Sequence, residues 1–388
     1  MVMQKKILVI HNKYRNIGGE DISVENEIKT LKKKYKVEEL YFYNYDFNII
    51  TQIFYFIMNK NYTSMKLLKN KINVFKPDLV YVHNTWFRAS PGVFQILENY
   101  SVPIVVKVHN FRYNCTKSFF SNKHLKNETF CKACYFTKPK LSFFNKYFPE
   151  SYLKSFLVVR YGRKYFDILK HGNLKILVLT EHHKSFLKEL GFSMDKVKIA
   201  RNYIEVNNQN SIINIEDYIV YAGRISEEKG VSNLINNFLA CNFSNLKLKI
   251  IGDGPILNQL KKKFQSPQLE FLGLKNHDEV LHLISNSQAV ITATKLYEGQ
   301  PTLLCEASLL KIPSIFPSAG GISEFFPKEY PLMYNSSDNR NMINKLKMLE
   351  NKSLLKQIGN ENYEFLSQLI DEDSYFLQIE NLLTIQSK

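Results

Sequence analysis

The sequence predicts an α/β protein made of two doubly wound domains, each with a parallel sheet. Short β-rich apolar runs alternate with helical patterns in two successive sets, as strands buried on both faces by crossover helices do. A polar, aperiodic stretch from Val206 to Asn214 separates the sets and reads as a linker. Charge breaks near the same place: residues 1–200 carry 34 Lys and Arg against 15 Asp and Glu, whereas residues 201–388 carry 18 against 21. A chain of 388 residues, 45% of them hydrophobic, is globular and longer than one core usually serves.

In the first set, Ile7–Ile10, Leu79–Val82, Ile104–Val108 and Ile176–Leu179 read as buried parallel strands, and Val24, Ile28 and Leu31 follow helical spacing after Gly18-Gly19. In the second, Tyr218–Ala222, Leu246–Ile251, Leu269–Leu272, Ala289–Thr292 and Ile312–Phe316 read as strands. Asp371-Glu-Asp-Ser-Tyr-Phe opens a last amphipathic helix. The expected domains are 1–205, 206–370, and a C-terminal helix in 371–388 that packs back on the first domain, with the two domains facing each other across a cleft.

The N-terminal Lys5-Lys6-Ile-Leu-Val-Ile-His11 has the charge of an export signal, but His11 breaks the apolar run after four residues, so a first strand is expected. Ile49–Met58, interrupted by Thr51 and Gln52, is too short to span a bilayer. Five cysteines supply no disulfide framework, and a cytosolic setting is expected. Residues 111–170 hold 13 basic and 3 acidic side chains among 16 Phe and Tyr. Such a mixture suits an anionic membrane surface or a nucleic acid. No nucleic-acid motif accompanies it, so peripheral docking on the inner face of the cytoplasmic membrane is the expectation, and a nucleic-acid-binding use is the alternative.

The junction after Ala289–Thr292 is best suited to chemistry. It places Glu298 in the loop above the strand and Glu306 about two turns inside a helix beginning near Pro301, a residue suited to the first helical position. The free amides of that helix start make an anion site. One acid can meet a sugar and the other a ribose; a capping glutamate followed by a surface one is the plainer alternative. Arg224 and Lys229, five residues apart after the strand Tyr218–Ala222, fit a diphosphate, the first by bidentate contact and the second by compact charge. Gly18-Gly19 and Gly252-Asp-Gly-Pro255 follow strands and allow backbone to approach a ligand, although plain turns explain them too.

His109 and Asn110 end the strand Ile104–Val108, a position better placed for ligand contact than for core packing. His83-Asn84 ends the preceding strand similarly, within reach of an acceptor, with ordinary packing as the plainer reading. Cys115, Cys131 and Cys134, with His124 between them, present only half the paired spacing of a structural zinc site, so they read as reduced thiols. No cofactor and no catalytic metal are expected.

Gly18-Gly19, His109-Asn110, Arg224 with Lys229, Ile251-Gly-Asp-Gly-Pro255 and the Glu298/Glu306 pair, taken in order along the chain, resemble glycosyltransferase family 4, the retaining group 1 transferases of the GT-B fold. The likeness is strongest from Ile219 to Glu324, where Ala319-Gly-Gly-Ile-Ser-Glu324 also resembles a family segment. The stretch from His109 to Cys134 is similar to a subgroup with an Arg/Tyr pair and a Cys-x-x-Cys.

The resemblance implies two Rossmann-like domains and a nucleotide-diphosphate sugar as donor. Gly18 and Gly19 would lie against the donor's sugar and phosphate, Gly252 near the nucleotide, Arg224 and Lys229 at the diphosphate, and Glu306 at the ribose. Glu298 would bind the sugar near its reacting face and His109 would contact it from the other domain. Backbone amides of Gly299, Gln300, Thr302 and Leu303, with Pro301 between them, would grip sugar hydroxyls and phosphate. Gln300 stands where the family often has Phe. Asn84 and Asn110 are acceptor-side candidates, the acceptor being a glycan or a polyprenyl-diphosphate-linked sugar in surface-polysaccharide assembly. An epimerase or dehydrogenase reading lacks its G-x-G-x-x-G fingerprint here.

Overall fold

The computed structural model of the chain describes residues 4–14, 18–44, 54–55, 57–111, 113, 151–206, 214–336 and 338–384. Cys115, Cys131, Cys134, His124 and most of the basic aromatic stretch lie outside the described residues. Two compact units emerge, Met1–Tyr203 with Glu372–Lys388, and Ile204–Asp371. No helix among the described residues is long and apolar enough to cross a membrane.

The first unit contains β1 (Lys6–Lys13), α1 (Gly19–Lys32), β2 (Lys36–Tyr43), α2 (Tyr62–Phe75), β3 (Leu79–Asn84), α3 (Gly92–Leu97), β4 (Ile104–Lys107), α4 (Tyr152–His171), β5 (Lys175–Val178), α5 (Glu181–Glu189) and β6 (Val197–Ile199). All six strands are parallel in the order β2-β1-β3-β4-β5-β6. Strand β1 runs three residues past the apolar Ile7–Ile10 because polar His11 and Asn12 find buried partners: His11 Nε2 meets Asp21 Oδ1 at 2.9 Å, and Ala89 N donates to Asn12 Oδ1 at 2.9 Å. The edge strand β2 was missed in sequence because its side chains are mostly half-buried, so it lacks the continuous apolar run of a central strand. Three-residue β6 is too short to stand out.

The second unit contains β7 (Tyr218–Ala222), α6 (Val231–Leu239), β8 (Lys247–Ile251), α7 (Leu257–Lys263), β9 (Leu269–Gly273), α8 (His277–Ser285), β10 (Ala289–Ile291), α9 (Thr302–Leu309), β11 (Ser314–Pro317), β12 (Met333–Tyr334), α10 (Asn339–Lys347) and α11 (Lys352–Leu369). Its parallel order is β12-β11-β10-β7-β8-β9. The chain then returns to the first unit as α12 (Glu372–Thr384). There Tyr375, Ile379 and Leu382, spaced along one helix face, bury against Ile7, Val9, Leu79 and Val105.

Winding reverses once in each sheet, between β1 and β3 in the first and between β7 and β10 in the second. The carboxyl ends of strands flanking such a reversal leave a crevice in which open α/β sheets bind ligands.

Candidate active site

In the second unit the loops after β7 and β10 are stitched together at the reversal. Gly230 follows a single 3-10 turn, Glu227–Lys229, with φ +69, and a Cβ there would lie 2.1 Å from Ala293 O. Only glycine allows that approach. Lys295 N donates to Glu228 O at 2.8 Å, and Lys229 Nζ donates to Glu298 Oε1 at 2.5 Å. The same carboxylate oxygen accepts from Thr294 Oγ1 at 3.0 Å. Arg224 is exposed, with no side-chain partner among the described residues; its carbonyl accepts from Tyr221 Oη at 2.9 Å.

The Gly-Gly-Ile-Ser-Glu segment has a mechanical role at the same spot. Gly321 N donates to Glu298 O at 3.0 Å, and a Cβ on Gly320, which has φ +60, would lie 2.7 Å from that oxygen. Backbone from the loop after β11 therefore braces Glu298 from behind. Gly252 follows β8 directly, its N donating to Gly273 O at 2.8 Å.

Helix α9 begins at Thr302, so Pro301 is its N-cap and not its first helical residue, with φ −83 and ψ 85. Gly299 and Gln300 are buried, while Pro301, Thr302 and Leu303 remain half-exposed at the helix start. Glu306 is buried inside α9, and its Oε1 lies 2.8 Å from His277 Nε2. His277, the first residue of α8, was not singled out in sequence. Its helix start was legible from the Asn276/Glu279 capping box, but the partnership with Glu306, 29 residues on, was not.

In the first unit the strand ends gather His83, Asn84, His109 and Asn110 around a small pocket also lined by Glu20, Trp86, Tyr113 and Tyr165. His109 Nε2 and His83 Nδ1 are 2.9 Å apart. Burial holds His109 well below the usual histidine range, helped by His83 and Lys107, and does the same to His83, helped by His11 and Lys107. Asn110 Nδ2 donates to Glu20 Oε2 at 2.9 Å. Asn84 is engaged on both sides of its amide, donating to Asn12 O at 2.8 Å and accepting from Trp86 N at 2.9 Å. Gly18 is the N-cap of α1 and its N donates to Asp21 Oδ2 at 2.9 Å, so that amide is occupied; the space above Gly19 is open.

Beneath the pocket lies a buried polar cluster that the sequence reading missed. Glu27 Oε1 accepts from Lys107 Nζ at 2.7 Å, Tyr81 Oη at 2.8 Å and Tyr375 Oη at 3.0 Å. One signal was present: Lys107 interrupts an otherwise apolar strand, and a lysine buried in a sheet requires a counter-charge.

Residues 204–365 match the family described as glycosyl transferases group 1. This span is similar to a group 1 glycosyltransferase domain. The match begins where the second unit begins and lies wholly within it. The amylovoran biosynthesis glycosyltransferase AmsD of Erwinia amylovora is 27% identical over 42% of this chain and 49% of its own length. The capsular polysaccharide biosynthesis glycosyltransferase CapM of Staphylococcus aureus is 25% identical over 51% of this chain and 54% of its own length. The chain thus spans about half the length of these curated relatives. Among solved structures, sucrose-phosphate synthase from Thermosynechococcus elongatus superposes with a TM-score of 0.72 over 98% of both chains at 12% identity. Anabaena HepE in complex with UDP-glucose gives 0.69 over 98% of this chain and 99% of its own, at 14% identity. These likenesses show the GT-B class of fold, two Rossmann-like units, for the whole chain, including the parts outside the matched span.

Proposed function

We propose that the protein is a retaining glycosyltransferase that moves a hexose from a nucleotide-diphosphate sugar to a lipid-linked or oligosaccharide acceptor in surface-polysaccharide assembly. The observation that carries this reading is the Lys229–Glu298 ion pair at the strand ends of a span that matches the group 1 glycosyltransferases, with Arg224 exposed just past the end of β7. The names of the relatives support the polysaccharide setting.

Cleaving a sugar–phosphate bond builds negative charge on the departing diphosphate and positive charge on the ring. Arg224 and Lys229 stabilise the first, and a cation that gains strength as charge develops lowers the barrier. They do so without a divalent ion. In the proposed step the C1–O bond to phosphate breaks, the acceptor oxygen bonds C1 on the same face, and the acceptor's proton passes to a phosphate oxygen. Glu298 holds the sugar near its reacting face, Glu306 holds the ribose, and His109 contacts a sugar oxygen. The loop and helix start from Gly299 to Leu303 bind hydroxyls and phosphate, with Gly18, Gly19 and Gly252 allowing close approach. Asn84 and Asn110 are the acceptor-side candidates, and of the two Asn84 already has both sides of its amide engaged.

A panel of nucleotide sugars offered with lipid-linked acceptors, in buffer containing a chelator, tests the whole reading. Transfer with an anomeric configuration matching the donor supports it; no transfer from any donor, or inversion, overturns it.

Peripheral membrane docking is proposed for the first unit, whose positive charge is accompanied by exposed Phe54, Ile57, Met58, Tyr62, Leu67, Leu153 and Phe156. Flotation with liposomes checks it: binding that requires anionic lipid is expected, and none at moderate salt removes it.

A further inference from the structure

His83 and His109 share one proton between two facing nitrogens, and the surroundings decide which ring carries it. His83 lies in the sheet at 3% exposure and is faced by Tyr81, His11, Lys107, Glu27 and His109. Its Nε2 is buried without a hydrogen-bond partner among the described residues. A proton placed there would be an orphaned buried donor, at a cost of about 1–3 kcal/mol, and such donors are rarer in proteins than unfilled acceptors.

A proton on Nδ1 has better company. It points at His109 Nε2, 2.9 Å away, and the unpartnered Glu27 Oε2 lies 3.9 Å from the same nitrogen. His109 Nε2 must then accept. Both rings are held neutral by burial, so the single proton of His109 is left on Nδ1. That nitrogen has no partner among the described residues, and His109 lines the pocket.

We infer that His83 is a positioning residue that sets the tautomer of His109, so that His109 meets a ligand in this pocket as a neutral Nδ1–H donor and not as a base. Neutral histidine usually carries its proton on Nε2, so the arrangement is distinguishable. It restricts the ligand atom to an acceptor, such as a hydroxyl or ring oxygen. That the acceptor belongs to a sugar rests on the function proposed above; the tautomer does not.

Long-range proton–nitrogen correlation spectra of the full chain labelled with 15N-histidine read the tautomer directly, His109 and His83 being assigned by single substitution. The expected result is a protonated Nδ1 and an unprotonated Nε2 on His109. His83→Asn, whose amide nitrogen can replace Nδ1, should keep that pattern. His83→Leu should lose it and raise KM for the donor on the order of 10-fold, the equivalent of one hydrogen bond, with kcat changed less. A wild-type His109 protonated on Nε2 overturns the inference, as does an Nδ1–H form that persists in His83→Leu. Should His83→Leu not fold, the wild-type and His83→Asn spectra decide. An Nδ1–H tautomer in a protein that transfers no sugar would count against the proposed function and leave this inference standing.

Discussion

Lys229 Nζ and Glu298 Oε1 lie 2.5 Å apart, joining two loops that meet only because the sheet reverses its winding between β7 and β10. Each side chain is 29% exposed, and an ion pair this open to water adds at most about 1 kcal/mol to stability. The pair is therefore better understood as a cation held in place at a site than as a fold-stabilising contact. Lys229→Ala and Arg224→Ala should each lower kcat/KM on the order of 10²-fold or more while leaving the melting temperature nearly unchanged. Glu298→Gln frees the ammonium; diphosphate affinity should hold or rise as kcat falls. Near wild-type turnover in both cation variants would remove the leaving-group role.

Glu306 is buried and leans on half-exposed His277. His277→Ala leaves a buried carboxylate short of a partner and should destabilise the second unit by about 1–3 kcal/mol in urea titrations. Glu306→Gln should weaken a ribonucleoside diphosphate more than its dideoxyribose analogue. Equal weakening of both would move Glu306 away from the ribose.

Lys107 and Glu27 form a fully buried ion pair to which α12 contributes Tyr375. Removing one partner strands the other charge, so Lys107→Leu should cost about 3–5 kcal/mol. Tyr375→Phe removes one hydrogen bond and should cost about 0.5–1.5 kcal/mol. If Tyr375→Phe also leaves the chain around α12 more open to protease, the hydroxyl anchors the helix; unchanged digestion would show that Ile379 and Leu382 suffice.

The first unit should be acid-labile. Burial, helped by His182, brings His183 down to about 3, and His83 and His109 are also held well below the ordinary value of 6.5. Below that value the unfolded chain takes up protons that the folded chain refuses. Stability is therefore full above the ordinary histidine range and falls as pH drops through it, by up to about 1.4 kcal/mol per pH unit for each such histidine. Urea midpoints measured downward from neutral pH should show this slope, and His183→Gln should flatten it. A pH-independent midpoint would mean these rings are protonated in the folded protein.

The central strands β1, β3, β7, β8 and β10 were legible because strands covered on both faces need apolar runs, and each carries one, such as Ile7–Ile10 in β1 and Ile250-Ile251 at the end of β8. The edge strand β2 was not, since a strand at the sheet's edge needs no such run. Pro301 stands one residue before the helix and not at its first position, the place proline usually favours, and its side chain makes no capping hydrogen bond. The Glu298, Arg224 and Lys229 candidates stood out by residue type and by position after strands. What joins them did not: nothing local tells Lys229 that its partner lies 69 residues away.

The amino-acid order alone determined the alternation of strands and helices, the two-domain division and the residue types offered at the strand ends, because each follows from periodicity, turn chemistry and charge within a few neighbours. Tertiary structure decided the pairings, Lys229 with Glu298, His277 with Glu306, His83 with His109 and Lys107 with Glu27. These contacts join residues 26 to 80 positions apart, and only the parallel winding of the sheets, which brings successive strand ends to one edge, sets them side by side.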